Sequence, residues 1–127
     1  MSTESIAHEE LRLLTALIHP NLEERVVRAL HELPRFPGFT LVEGRGQGRG
    51  RGIGGAYEAS EYDLVYQRHL RLEIVCPAQE AAAIADRIAR AAWTGRRGDG
   101  VVFSTPVDGF ARIREAGAPC EGMEGAR

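Results

Sequence analysis

The sequence predicts an α+β domain in which two β-α-β units share one antiparallel sheet and both helices cover the same face. Strand, helix and strand signals occur twice along the chain, and each helical stretch sets its apolar residues at one-face spacing. A length of 127 residues makes one domain with a real core and not two.

The first element is the apolar run Arg12 to His19, stopped by Pro20, which reads as a buried strand. Asn21, with Glu24 three residues on, forms an asparagine-led capping box, and Leu22, Val26, Ala29, Leu30 and Leu33 follow at helical spacing. Pro34 and Pro37 end that helix, and Phe39-Thr40-Leu41-Val42-Glu43 is rich in strand-favouring residues. From Gly44 to Gly55 there are seven glycines, a composition that predicts a mobile loop with no packed element, continuing through Tyr57 and Tyr62. His69 to Val75 alternates polar and apolar like a half-buried strand, and Gln79 to Ala92 supplies a second helix with Ile84, Ile88 and Ala92 on one face. Val101 to Thr105 and Phe110 to Arg114 close the chain as two short strands. The expected architecture is a ferredoxin-like βαββαβ sandwich with a further short strand at its end. Its second sheet face lacks cover in so small a domain, and a partner subunit is the natural source. Residues 1–10 and 118–127 are expected to be flexible tails around a domain spanning 11–117.

Hydrophobic residues at 43% and charged residues at 27% fall in the soluble range, and no apolar run is long enough to cross a bilayer. The segment Met1 to Ser5 lacks the basic and apolar regions of a signal peptide, so a cytoplasmic location is expected. Cys76 ends an apolar strand and reads as a buried small hydrophobe, whereas Cys120 lies in a glycine-rich tail; a disulfide between them is not expected in a reducing compartment. A net charge of −2 gives no general reason to expect nucleic acid or an anionic membrane as partner. All 16 basic residues are arginine, which leaves no lysine for Schiff-base chemistry.

The segment that carries chemistry is Thr94-Gly95-Arg96-Arg97-Gly98-Asp99-Gly100, between the alanine-rich helix and the last strands. Three glycines let the backbone approach a ligand closely, and the arginines offer forked partners for phosphate. The same glycines also suit a helix C-cap leading into a strand, and both readings stand on composition alone. This segment with Val-Phe-Ser-Thr-Pro-Val after it, and Ala111-Arg112-Ile113-Arg114 beyond, resembles the P-II family of nitrogen-regulatory signal proteins. Glu73-Ile74-Val75 and the stretch Tyr57 to Tyr62 add to the resemblance, which runs from about Leu11 to Gly117.

The resemblance implies a homotrimer whose intersubunit clefts bind adenine nucleotides. It also implies a long T-loop, about residues 47–66, that docks on a target membrane transporter or metabolic enzyme. Carried over, Gly98, Asp99 and Gly100 of the B-loop, residues 94–100, hold phosphate and ribose with Arg96 beside them. Arg112 and Arg114 clamp the phosphates across the cleft, and Thr40, Gly46, Gly48 and Arg49 line it from the second strand and the loop base. Tyr57 and Tyr62 are candidates for modification or partner contact.

Departures from the family pattern shape the expected ligand. Val101 stands where the family usually has lysine, removing one phosphate partner and favouring ADP or AMP over ATP. The glutamine that helps hold magnesium and 2-oxoglutarate falls on Gly50, and the lysine that pairs with 2-oxoglutarate falls on His69. Little or no 2-oxoglutarate response is therefore expected, with another small anion such as bicarbonate as co-effector. No metal site is expected, since His8, His19, His31 and His69 are not spaced as ligand pairs. An RNA-binding arginine-glycine segment at Gly44 to Gly55 and a slow nucleotide hydrolase are the alternatives. The net acidic chain and the lack of interleaved aromatics speak against the first, and no Ser-His-Asp or Cys-His motif supports the second.

Overall fold

In the computed structural model residues 10–47 and 67–116 are described. The elements run β1 (Leu11–Ile18), a 3-10 turn (Pro20–Leu22), α1 (Glu23–His31), β2 (Thr40–Gly46), β3 (Gln67–Pro77), α2 (Ala78–Ala92), β4 (Gly100–Val107) and a short helix α3 (Ile113–Ala116). All neighbouring strand pairs are antiparallel, in the order β2-β3-β1-β4. The central pair is β1–β3, while β2 and β4 are the two edges.

Alternation along the central strands decides which face meets the helices. Leu14, Ala16 and Ile18 of β1 and Leu70, Leu72, Ile74 and Cys76 of β3 are buried in one cluster with Val26 and Leu30 of α1 and Ala81, Ile84, Ile88 and Ala92 of α2. Strand residues at every second position and helix residues three or four apart are what a sheet covered on one side requires. The thiol of Cys76 is held above the ordinary cysteine range, chiefly by burial and further by the Glu80 carboxylate, with Arg12 opposing. Arg12 donates from Nε to Ser104 Oγ at 2.9 Å and so ties β1 to β4.

The opposite face is open and largely apolar. Val42, Val75, Val101 and Phe103 are all exposed there, one or two from each of β2, β3 and β4. Arg71 and Glu73 sit among them as an ion pair at 3.0 Å, two residues apart on the same side of β3.

Three expectations are corrected. Asn21 does not cap α1: it lies inside the 3-10 turn, where the Leu22 N–H donates to the His19 carbonyl at 3.0 Å, and Leu22 takes the cap position without a side-chain bond. Proline's fixed φ at Pro20 opens that turn before an asparagine cap can form. Gly44 to Gly46 are strand rather than loop, paired with His69, Arg68 and Gln67, because ladder hydrogen bonds use backbone groups that glycine keeps. The remainder of the glycine-arginine run lies outside the described residues.

Phe110 to Arg114 form no strand. The backbone is irregular through Arg112 and turns helical at Ile113, after β4 has run on to Val107. Among the described residues the outer edge of β4 has no neighbouring strand, so the apolar residues of this segment have no ladder to join.

Candidate functional site

The 94–100 loop begins where α2 stops. Trp93 leaves the helix in an extended conformation, and Gly95, Gly98 and Gly100 then adopt φ of 83°, 81° and 118°. These are angles that side-chain-bearing residues avoid, so the three glycines set the path of the loop. Asp99 fastens it. Its carboxylate accepts from the Thr94 N–H at 2.8 Å, from the Gly95 N–H at 3.0 Å and from the Thr94 hydroxyl. The Thr94 hydroxyl bond is the largest cause holding the Asp99 carboxyl below its ordinary pKa, followed by the Thr94 amide. Thr94 Oγ1 also accepts from the Arg96 N–H at 3.2 Å. Thr94, absent from the expected site residues, is thus the hub of the turn, and its hydroxyl could have been read as an ST-turn signal.

Gly100 joins the loop to the sheet. It pairs with Ile18, and a Cβ built on it would overlap the Leu17 carbonyl oxygen outright and stand 3.1 Å from the carbonyl carbon. Only glycine lets β4 meet β1 this closely at the loop exit. Gly98, by contrast, has open space where a Cβ would go.

The register of the sheet locates the other expected residues. Gly100, Ile18, Leu70 and Glu43 lie in one row across all four strands. Three inter-strand steps separate its ends, placing Glu43 ~14 Å from Gly100. Gly46 is three residues beyond that row at the end of β2, and Thr40 is three residues before it. Each is displaced along the strand by ~10 Å, in opposite directions. The 94–100 loop and the base of the long loop therefore share one end of the sheet but stand on its two outer strands. Thr40, exposed on the open face, pairs with Glu73.

The C-terminal arginines are on a separate segment. Arg112 lies over the ring of Phe110, 5.4 Å from its centroid, and Arg114 sits on α3. Both residues are exposed. Gly48, Arg49, Gly50, Tyr57 and Tyr62 lie outside the described residues, as do His8 and Cys120. His69 rests against Gly44 across the β2–β3 ladder, so closely that a Cβ on Gly44 would stand 2.7 Å from its Nε2. Among the described residues no group of three or more His, Cys, Asp or Glu side chains is gathered for a metal, and no helix is long and apolar enough to cross a membrane.

A second feature, after Thr94, is absent from the expected residues. Trp93, the single tryptophan of the chain, is 65% exposed at the start of the loop, with its indole Cζ2 over Gly95. Its signal in the sequence is an aromatic residue beside a Thr-Gly turn.

The family model described as nitrogen regulatory protein P-II matches residues 11–117 of the chain. The nitrogen regulatory protein P-II of Azospirillum brasilense is 35% identical over 104 residues, covering 82% of this chain and 92% of that protein. Its counterpart from Synechocystis sp. is 40% identical with the same coverage. Among solved structures, Arabidopsis thaliana PII bound to citrate superposes with a TM-score of 0.66 at 24% identity, covering 91% of this chain and 94% of the plant protein.

Proposed function

As a member of the nitrogen regulatory protein P-II family, this chain, we propose, works as a trimeric, non-catalytic sensor of adenine nucleotides. In this reading ADP or AMP is preferred to ATP, and the nucleotide lies in the clefts between subunits. It changes the state of the long loop at about residues 47–66, through which the protein regulates a membrane transporter or a metabolic enzyme in the cytoplasm.

The observation that carries this reading is the placement of the two loop bases. Both stand at one end of the sheet, yet β1 and β3 separate them within a chain. A single subunit cannot close both around one phosphate group with Gly46 and Gly100 ~17 Å apart, whereas two subunits meeting edge to edge can bring the 94–100 loop of one to the loop base of the next. The open apolar face with Val42, Val75, Val101 and Phe103 supports such an assembly, because burial against neighbouring copies removes this surface from water.

The Thr94, Gly95 and Arg96 amides are taken within the turn, so in this reading the anion is met by the amides that follow them and by the forked donors of Arg96, Arg112 and Arg114. Gly98, Asp99 and Gly100 then hold the nucleotide through their backbone, with the Asp99 carboxylate occupied in fixing the turn. Thr40, Gly46, Gly48 and Arg49 form the opposing wall. Val101, 54% exposed directly after the loop, contributes no charge, which favours fewer phosphates. With Gly50 and His69 at the loop base, a small anion such as bicarbonate is the co-effector and 2-oxoglutarate is not. Nucleotide shifts the population of loop states, and the target selects one of them. Tyr57 and Tyr62 belong to the surface that meets the target or is modified.

Calorimetric titration with ADP, AMP and ATP, repeated with bicarbonate and with 2-oxoglutarate, tests the reading. The expected result is micromolar binding of ADP or AMP. Failure of every adenine nucleotide to bind below about 1 mM, worth about 4 kcal/mol, refutes it. Sedimentation at the mass of one chain refutes the intersubunit cleft.

A further inference from the structure

We infer that a cleft beside the end of β2 and the start of β3 binds a free amino acid, holding its carboxylate with Arg45 and Arg68 and its ammonium with Glu23 and Glu43. The cleft measures ≈ 320 Å³, and its walls include Pro20, Glu23, Glu43, Arg45, Arg68 and Leu70. It uses the sides of the strands that face the helices. Arg68 precedes the buried Leu70 by two residues, Glu43 is the partner of Leu70 across the ladder, and Arg45 is the partner of Arg68. Pro20 opens the 3-10 turn and Glu23 opens α1, so the helix layer supplies the remaining wall. No residue of the 94–100 loop takes part, because that loop enters the sheet at β4, on the opposite edge.

Charge selects the occupant. Arg45 and Arg68 stand directly opposite each other on neighbouring strands, their Cα atoms ~5 Å apart, and like charges so placed destabilise the bare sheet. Among the described residues neither arginine is in an ion pair, nor is Glu23 or Glu43, although all four line one cleft. The two signs are held apart across it instead of neutralising each other. A purely anionic ligand would meet the two carboxylates, and a metal ion or simple cation would meet the two guanidiniums. A zwitterion answers both signs at once: its carboxylate accepts from the arginine forks, and its ammonium offers three donors to the glutamates. The volume lies at the lower end of the roughly 300–1,000 Å³ of small-molecule sites, which suits one amino acid and excludes a peptide. Pro20 and Leu70 give its side chain an apolar surface to rest on.

The position gives the site a consequence. Gly46 ends β2 and Gln67 begins β3, so an amino acid held here bridges the two strands where the 47–66 segment departs. The cleft is an input chemically unlike a nucleotide, and it does not depend on the nucleotide reading.

Thermal melting of the intact protein with each of the twenty standard amino acids at about 10 mM tests the site, because a ligand that binds only the folded state raises the melting temperature. Acetate and methylammonium, the two halves of the shared head group, are the controls at the same concentration. At least one amino acid is expected to raise the melting temperature while neither half does, and calorimetry with that amino acid is expected to show one site per chain. Arg68→Gln and Glu43→Gln each remove a charged hydrogen bond to the ligand and are expected to weaken it by about ten-fold or more. Both side chains are exposed, so neither change disturbs the core. Arg68→Gln is also expected to raise the melting temperature of the ligand-free protein, since it relieves the repulsion from Arg45. No stabilisation by any of the twenty, stabilisation by acetate equal to that by the best amino acid, or unchanged amino-acid affinity in both variants overturns the inference. Titrations with ADP and AMP are read separately, so the sensor reading stands or falls on its own result.

Discussion

Replacing Gly100 with alanine tests the junction between loop and sheet most sharply, because the parallel change at Gly98 isolates one of its two costs. At Gly98, φ is 81° and no atom lies within 4 Å of a new Cβ, so Gly98→Ala meets only the left-handed backbone penalty. That penalty is about 1–2 kcal/mol. At Gly100 the φ of 118° is more restrictive, and the new methyl would occupy the space of the Leu17 carbonyl oxygen. Relief requires β4 to move off β1 at the Gly100–Ile18 rung, leaving backbone groups there without partners. Strain of about 1–3 kcal/mol and the loss of the exposed pairing at that rung, about 0.5–1.5 kcal/mol, sum to about 1.5–4.5 kcal/mol. Against a total stability of about 5–15 kcal/mol this is a large share. In a domain of this size it lowers the melting temperature by roughly 6–18 °C, compared with roughly 4–8 °C for Gly98→Ala. Thermal or urea denaturation of both variants at matched protein concentration reads the difference, matched because any assembly stabilises by mass action. Equal losses for the two variants would refute the claim that close approach of Leu17, rather than backbone angle, makes Gly100 obligatory.

Two further predictions concern neighbouring side chains. Gly44→Ala is expected to cost about 1 kcal/mol because the new methyl pushes the His69 ring aside. In a His69→Ala background the same change is expected to stabilise by about 0.5 kcal/mol, alanine being the better strand residue; a double-mutant cycle by urea denaturation that shows the same sign in both backgrounds would sink the contact. Asp99 has a carboxyl pKa lowered by its bonds from Thr94 and Gly95. A depressed native pKa means that the fastening is fully present above the unfolded value near 3.9 and is lost as pH falls through the lower native value. The amide shifts of Thr94 and Gly95 are therefore expected to stay constant from neutral pH down past the ordinary aspartate range and to titrate only below it. Asp99→Asn should remove that transition, and a titration midpoint at or above 3.9 would contradict the geometry.

Much of the architecture is legible in the order of residue types alone. The apolar runs and the helical spacing of Val26 with Leu30 and of Ile84, Ile88 and Ala92 identify the strands, the helices and their buried faces. Burial is a property of period, and period is written in the chain. The glycines before Val101 likewise mark a tight turn between helix and strand, because positive φ and close backbone approach leave few other residue choices. Four things required tertiary structure. Gly44 to Gly46 become strand because β3 offers a matching ladder across from them, a partner that local composition cannot reveal. Phe110 to Arg114 fail to become strand for the converse reason, having apolar residues and no free ladder on their side of β4 among the described residues. The Asp99 carboxylate turns inward to Thr94 and Gly95, which a motif cannot distinguish from a carboxylate facing a ligand. The exposure of Trp93 beside the loop follows from where α2 stops relative to the sheet. Residue order dictates which positions are apolar, which are conformationally free and at what period they recur. Which of them meet is a property of the fold, because pairing across the sheet and the ending of a helix depend on partners distant along the chain.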